Sequence, residues 1–268
     1  MRQMRTIFTG LAGFILALGL SGAAKAGDLG EPMDYSPEPC CASNWYLKGF
    51  LGITSYDVDH INSELFKTSD FQVLSTTFEG SGLAGLGLGY QFNKWLRFDV
   101  TSEYRNRATF HGLDKYEGFG FAGTNEYTAT MKSWVSLANA YWDIGCWGGV
   151  TPYVGGGIGY AQNWIGSFTD VNVPNNGVAY ANSNAEGNFA WAVYGGLSYA
   201  VTQNFAIDLG YRYLDLGDAQ SGKVHAWDNS GTANGLEFDN IHSSDIMLGA
   251  RWKFGCCGGQ APMPVALK

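Results

Sequence analysis

The chain has 268 residues, 38 of them glycine, with 15% aromatic residues and a formal net charge of −8. That acidity argues against a nucleic-acid partner. No apolar run reaches the roughly 20 residues that a membrane-spanning helix needs.

Residues 1–26 read as a secretory signal peptide. Arg2 and Arg5 give a positive start, Ile7 to Leu20 an apolar centre, and Ala24-Lys25-Ala26 a small-residue cleavage site. Cleavage after Ala26 leaves 242 residues, with 13 basic against 24 acidic ones and a formal charge of −11. Residues 27–43 carry four acids and three prolines and read as an extended linker on the periplasmic side.

From Trp45 onward the hydropathy pattern has a period of two, which marks β-strands with two unlike faces. The first strand runs from about Trp45 to Ser55, with Trp45, Leu47, Leu51 and Ile53 opposed to Tyr46, Lys48, Phe50 and Thr54. Tyr56 to Phe78 reads as a long polar loop. The second strand, to Phe92, sets Ala84, Leu86, Leu88 and Tyr90 against Gly85, Gly87 and Gly89. After a tight turn at Asn93-Lys94, the third strand opposes Leu96, Phe98, Val100 and Tyr104 to Arg97, Asp99, Glu103 and Arg105. Ala108 to Asn125 reads as a loop, and the fourth strand, Glu126 to Asp143, has an alternation blurred by Trp134 and Asn139.

The second half repeats this rhythm. A short turn at 144–149 leads to the fifth strand, Val150 to Trp164, and Ile165 to Gly187 reads as a loop. The sixth strand, Asn188 to Val201, and the seventh, Phe205 to Leu216, are joined by a tight turn at 202–204. In the seventh, Phe205, Ile207, Leu209, Tyr211 and Tyr213 oppose Asp208, Gly210 and Arg212. Gly217 to Asn240 reads as the last long loop. The closing strand, Asp245 to Phe254, sets Ile246, Leu248, Ala250, Trp252 and Phe254 against Asp245, Met247, Gly249, Arg251 and Lys253.

Eight strands whose connections alternate long and short describe an all-β, antiparallel up-and-down transmembrane barrel over residues 44–254. It has four long outer loops and short periplasmic turns, with a periplasmic tail at 255–268. An Arg or Lys on the lipid face costs about 2–4 kcal/mol at the bilayer midplane. Lys48, Arg97, Arg105, Arg212, Arg251 and Lys253 are therefore expected to face inward beside Asp99, Glu103, Asp208 and Asp245. Eight strands leave an interior just wide enough for side chains to fill. An ion-pair plug is accordingly expected, with a small passive pore as the alternative. The alternate glycines lie along strand faces with no strand-to-helix turn and no P-loop lysine, so no nucleotide or other cofactor is expected.

His60, His111, His225 and His242 fall in or beside the outer loops, and their spacing indicates no metal centre. The His242-x-Ser244 pair raises a third reading, a lipid A-modifying enzyme, because small barrels that deacylate lipopolysaccharide carry a His and a Ser near the outer rim. No glutamate stands at a recognisable spacing from the pair.

Gly85-Leu86-Gly87-Leu88-Gly89-Tyr90-Gln91-Phe92, Arg97-Phe98-Asp99, Pro152-Tyr153-Val154-Gly155 through Tyr160, and Gly210-Tyr211-Arg212-Tyr213 together resemble the small outer-membrane β-barrels of Gram-negative bacteria. These are the opacity-protein and surface-antigen type, similar in shape to the transmembrane domain of OmpA. The resemblance implies a non-enzymatic surface-antigen or adhesin-like protein of the cell outer membrane. It implies contact with outer-membrane lipid and lipopolysaccharide, and host or envelope ligands at the acidic loops. It also implies insertion by the barrel assembly machinery, which reads a closing motif here formed by Gly249, Trp252 and Phe254. Cys40, Cys41, Cys146, Cys256 and Cys257 fall on the periplasmic side of this topology. Because the first and last strands become neighbours, a disulfide is expected between Cys40 or Cys41 and Cys256 or Cys257 in the oxidising periplasm.

Overall fold

Alternating side chains draw almost the whole described chain into antiparallel strands. The computed structural model describes residues 44–62, 70–118, 121–174, 176–229 and 231–254. The expected signal peptide, linker and tail, and four of the five cysteines, lie outside them. The strands are β1 (Trp45–Asn62), β2 (Asp70–Phe78), β3 (Ser81–Gln91), β4 (Leu96–Gly118), β5 (Phe121–Asp143), β6 (Val150–Asn172), β7 (Gly177–Ala181), β8 (Asn184–Ala200), β9 (Phe205–Gln220), β10 (Val224–Ala226), β11 (Thr232–Ala233) and β12 (Glu237–Lys253). Eight of them, β1, β3, β4, β5, β6, β8, β9 and β12, pair in that order into a closed antiparallel ring. Closure leaves no unpaired edge within that ring.

The expected long loops are largely strand. Tyr56 to Phe78, Ala108 to Asn125, Ile165 to Gly187 and Gly217 to Asn240 hold the outer ends of β1, β4, β5, β6, β8 and β9, together with β2, β7, β10 and β11. The 23 residues of β5 span about 75 Å along the strand. Even when tilted, such a strand rises far beyond the roughly 25 Å apolar band of a membrane barrel. Past that band the outer face meets water and turns polar, so the lipid-facing stripe that reveals a strand in sequence fades while the ladder continues.

Within the band the outward faces are apolar, and aromatic side chains mark its two ends. Trp45, Phe92, Trp95, Trp142, Tyr199 and Trp252 lie at the turn end, and Tyr104, Trp134, Tyr160, Trp191 and Tyr211 at the other, all exposed. These are the two interfacial girdles of a lipid-facing barrel. Trp134 points outward and Asn139 inward, so the fourth predicted strand alternates cleanly. The sequence had blurred because its inward face also carries the apolar Val135 and Leu137.

Above the band the ring opens in part. The β1–β3 ladder stops at Thr54 and Ser81, beyond which β1 follows β12 while β2 follows β4. Phe78 and Phe110 on one side and Phe238 and Tyr56 on the other meet with ring centroids 5.0–6.0 Å apart. Met131, Ile165, Phe168, Leu214, Leu216 and Ile241 extend this cluster. The outer part of the barrel is filled by an apolar core.

Candidate functional site

The barrel interior carries two layers of charge beneath that core. In the upper layer Arg105 donates to Asp245 at 2.7 and 3.0 Å, to Glu103 at 3.0 Å, and to the hydroxyls of Tyr56 and Ser243. Arg212 donates to both oxygens of Glu103, at 2.6 and 2.8 Å, and to Asp245 at 2.8 Å. Two guanidinium groups and two carboxylates thus close a ring across the lumen. All four residues are at most 4% exposed. Charges so deeply buried are tolerable only when each is paired and its hydrogen bonds are met.

The lower layer lies toward the turns. Arg97 donates to Asp143 at 3.1 Å, and its guanidinium lies 4.6 Å from the ring centroids of both Tyr141 and Tyr153. Arg251 pairs with Asp208 at 2.7 Å and donates to Ser198 at 2.6 Å. Lys48 reaches Asp99 at 3.5 Å, while Tyr46 and Asn139 donate to the same carboxylate. Inward glycines make room for the rings: a side chain at Gly85 would overlap Phe50, and one at Gly89 would overlap Tyr46. Between the layers lies a cavity of about 20 Å³ lined by Lys48, Tyr141, Asp208 and Arg212 among others. It has room for about one water molecule and no more.

The structure brings Lys48, Arg97, Asp99, Glu103, Arg105, Asp208, Arg212, Asp245 and Arg251 together in these layers. Lys253 faces inward at the turn end and forms no salt bridge among the described residues. Sequence reasoning missed Asp143, which ends β5 in phase with Tyr141 and Asn139 and was therefore legible as an inward acid. It also missed the tyrosine rings that flank the arginines. Gly249 is on the inward face of β12, with Trp252 and Phe254 exposed on the other. Cys146 is exposed in the turn between β5 and β6. The expected disulfide falls outside the described residues.

His60, His111, His225 and His242 lie on strands rather than in loops. His242 Nε2 stands 3.9 Å from Asp57, and its Nδ1 lies 3.2 Å from the carbonyl of Asn240. Ser244 shares its hydrogen bond with Tyr211 at 2.9 Å. No hydrogen bond joins His242 to Ser244 among the described residues.

The outer extension holds a second polar cluster. Asp114 is buried, accepting hydrogen bonds from the Asn125 amide and the Tyr127 hydroxyl. Asn172 donates to Tyr116 and Asn125 at 2.6 and 2.8 Å. Burial, with the charge of Asp114 as the lesser cause, pushes the Asp170 carboxyl up to about 7.

Residues 12–254 match the outer membrane protein beta-barrel domain. An uncharacterized protein of Brucella abortus (strain 2308) is 31% identical over 218 residues, covering 72% of this chain and 75% of that protein. The outer membrane protein PagN of Salmonella typhimurium is 26% identical over 217 residues, covering 78% and 89%. Among solved structures, the outer membrane protease OmpT of Escherichia coli superposes with a TM-score of 0.51 at 9% identity, covering 79% of this chain and 94% of that one. At that identity the likeness is one of fold alone.

Proposed function

The chain belongs to the outer membrane protein β-barrel family, of the cell outer membrane of Gram-negative bacteria, and from that premise we propose that it is a closed, non-enzymatic surface protein. Its barrel anchors an acidic outer extension that binds host or envelope partners. The observation that carries this reading is the filled interior. The ring of Arg105, Arg212, Glu103 and Asp245 lies beneath the aromatic cluster of Phe78, Phe110 and Phe238, and Tyr56 touches both. A barrel whose lumen is filled by side chains has its exterior left to work with. Beyond the outer girdle, β1, β9 and β12 present Asp57, Asp59, Asp215, Glu237 and Asp239. Such a face favours cationic partners, and its contribution weakens with salt.

Three measurements test the reading. The purified protein in planar bilayers should give no steady conductance; resolved single-channel steps would return it to the pore alternative. Cells displaying the protein should lose attachment to host surfaces or envelope components when Asp57, Asp59, Asp215 and Asp239 are changed to Asn while the barrel still inserts. Unchanged attachment would remove the role given to this face. The lipid A mass profile should be the same with and without the protein.

A further inference from the structure

Arg105 and Arg107 are two residues apart, yet they face opposite ways. Strict alternation would send both into the lumen. On β4, however, Arg105 pairs with Ser133 and Ala108 with Met131, so Asn106 and Arg107 together oppose the single residue Lys132. This is a β-bulge, which shifts the phase of the strand and re-aims its side chains. Ala108, Phe110 and Asp114 beyond it stay buried, while Asn106 and Arg107 are turned out and exposed. The Asn106 side chain accepts the backbone N–H of Arg107 at 2.8 Å and holds the bulge.

The bulge sits at a particular depth. Tyr104 and Trp134, paired across β4 and β5 with centroids 6.5 Å apart, belong to the outer girdle. Lys132 is two residues beyond Trp134, about 7 Å along the strand. Lys132 Nζ lies 5.7 Å from the Trp164 ring. Neither Arg107 nor Lys132 has a carboxylate partner among the described residues, whereas Lys115, further out on the same hairpin, is paired with Glu117. In the ring order, β4 and β5 stand opposite β9 and β12, which carry the acidic face. Two cations without a carboxylate partner among the described residues therefore project outward just above the acyl-chain zone, on the side of the ring opposite β9 and β12.

We propose that Arg107 and Lys132 form a binding site for the phosphate of the outer-leaflet glycolipid, with Tyr104, Trp134 and Trp164 packing beside its sugar and acyl base. A guanidinium suits bidentate phosphate contact, and the ammonium adds a point charge next to it. Charge complementarity selects this ligand: the outer leaflet holds a dense array of phosphates at the depth where these side chains emerge.

The test uses the full folded protein in detergent micelles, titrated with phosphorylated lipid A and with the same lipid after phosphate removal, and followed by native mass spectrometry. The wild type should retain the phosphorylated lipid. R107Q and K132Q should each weaken retention about fivefold, and the double variant about 25-fold, at low salt. K132R should stay near wild type, R107K should keep the charge but lose the bidentate contact and fall between wild type and R107Q, and heat-modifiability should report the same folded barrel in every case. The site would be overturned if the double variant kept full affinity, or if the dephosphorylated lipid bound the wild type equally well. A soluble sulfated oligosaccharide that bound the pair more tightly than the lipid would also overturn it, pointing to a polysaccharide partner instead.

Discussion

Arg105 on β4 grips Asp245 on β12 with two hydrogen bonds, at 2.7 and 3.0 Å, across the width of two intervening strands. Removing one partner of a buried, paired charge strands the other without solvent, which costs roughly 3–5 kcal/mol. R105M is therefore expected to lower the urea midpoint of the folded barrel in micelles substantially. A second change, D245L, should recover part of that loss, because no charge is then left unmatched at this position. A double variant weaker than R105M by the full cost of a second buried change would contradict this coupling.

The interior is closed twice, by charge below and by aromatic packing above. The two closures share Tyr56, which accepts from Arg105 and packs on Phe78, but Phe110 and Phe238 belong to the aromatic one alone, so removing them leaves the ionic ring in place. F110A/F238A is expected to destabilise the outer extension while remaining non-conducting in planar bilayers. Combining it with R105A and R212A removes the upper ring but leaves the lower layer of Arg97, Asp143, Asp208 and Arg251 in the lumen, so ion flow is expected only when R97A and R251A are added as well. Conductance from F110A/F238A alone would show that the ionic ring does not seal.

Asp170 links the outer hairpin to pH. Its carboxyl is pushed up to about 7 by burial and then by Asp114, from an ordinary value near 3.8. The folded state thus holds a proton that the unfolded chain releases, and stability falls as pH rises from about 4 through 7 and levels off above. The effect is at most about 4 kcal/mol. Hydrogen exchange of the outer ends of β5 and β6, corrected for intrinsic rates, should show more opening at pH 8 than at pH 5. D170N should flatten the difference. An unchanged pH dependence in that variant would assign it to another group.

The sequence was legible where lipid imposes a contrast between faces and illegible where it does not. Arg97, Asp99, Asp208, Arg212, Asp245 and Arg251 stand out because each charge alternates with an apolar neighbour that meets lipid. Asp143 escaped notice because it ends its strand, next to a turn where an acid needs no explanation. The outer half of β4 and the first residues of β5 read as loop because Asp114, Lys115 and Asn125 alternate against water, not lipid. The bulge after Arg105 left no local signal, since a register shift depends on what the partner strand opposes. Phe78, Phe110 and Phe238 lie in three separate stretches, and only the closed ring brings them together.

Trp252, near the end of β12, and Phe254, just past it, have exposed rings, and Trp252 packs beside Phe205 with centroids 6.1 Å apart. Both belong to the girdle at the turn end, where aromatic rings anchor a barrel to the interface. W252A/F254A is expected to reduce the amount of folded, heat-modifiable protein in outer-membrane fractions several-fold. Because neither ring enters the lumen, the molecules that do insert should keep their stability. Wild-type yields from the double variant would show that assembly reads another part of the strand.

The first and last strands of the ring meet at a seam whose turn-side end is well defined. Tyr46 pairs with Lys253, and the backbone N–H of Phe254 donates to the carbonyl of Trp45 at 3.0 Å. Cys41 lies four residues before Trp45, and Cys256 two residues after Phe254. A disulfide needs Cα atoms within about 7 Å, and segments this short leaving adjacent strand ends can meet that requirement. The proposed bond joins Cys40 or Cys41 to Cys256 or Cys257. It would close a loop of over 200 residues, yet the paired strands already hold its ends together. Its contribution should therefore fall below the roughly 4–5 kcal/mol of an unrestrained long loop. Cys146, exposed in the turn between β5 and β6, is expected to alkylate readily without reductant. Non-reducing peptide mapping of protein taken from the outer membrane should recover a peptide linking the two cysteine pairs. Recovering only alkylated cysteines, or bonds within each vicinal pair, would refute the seam disulfide.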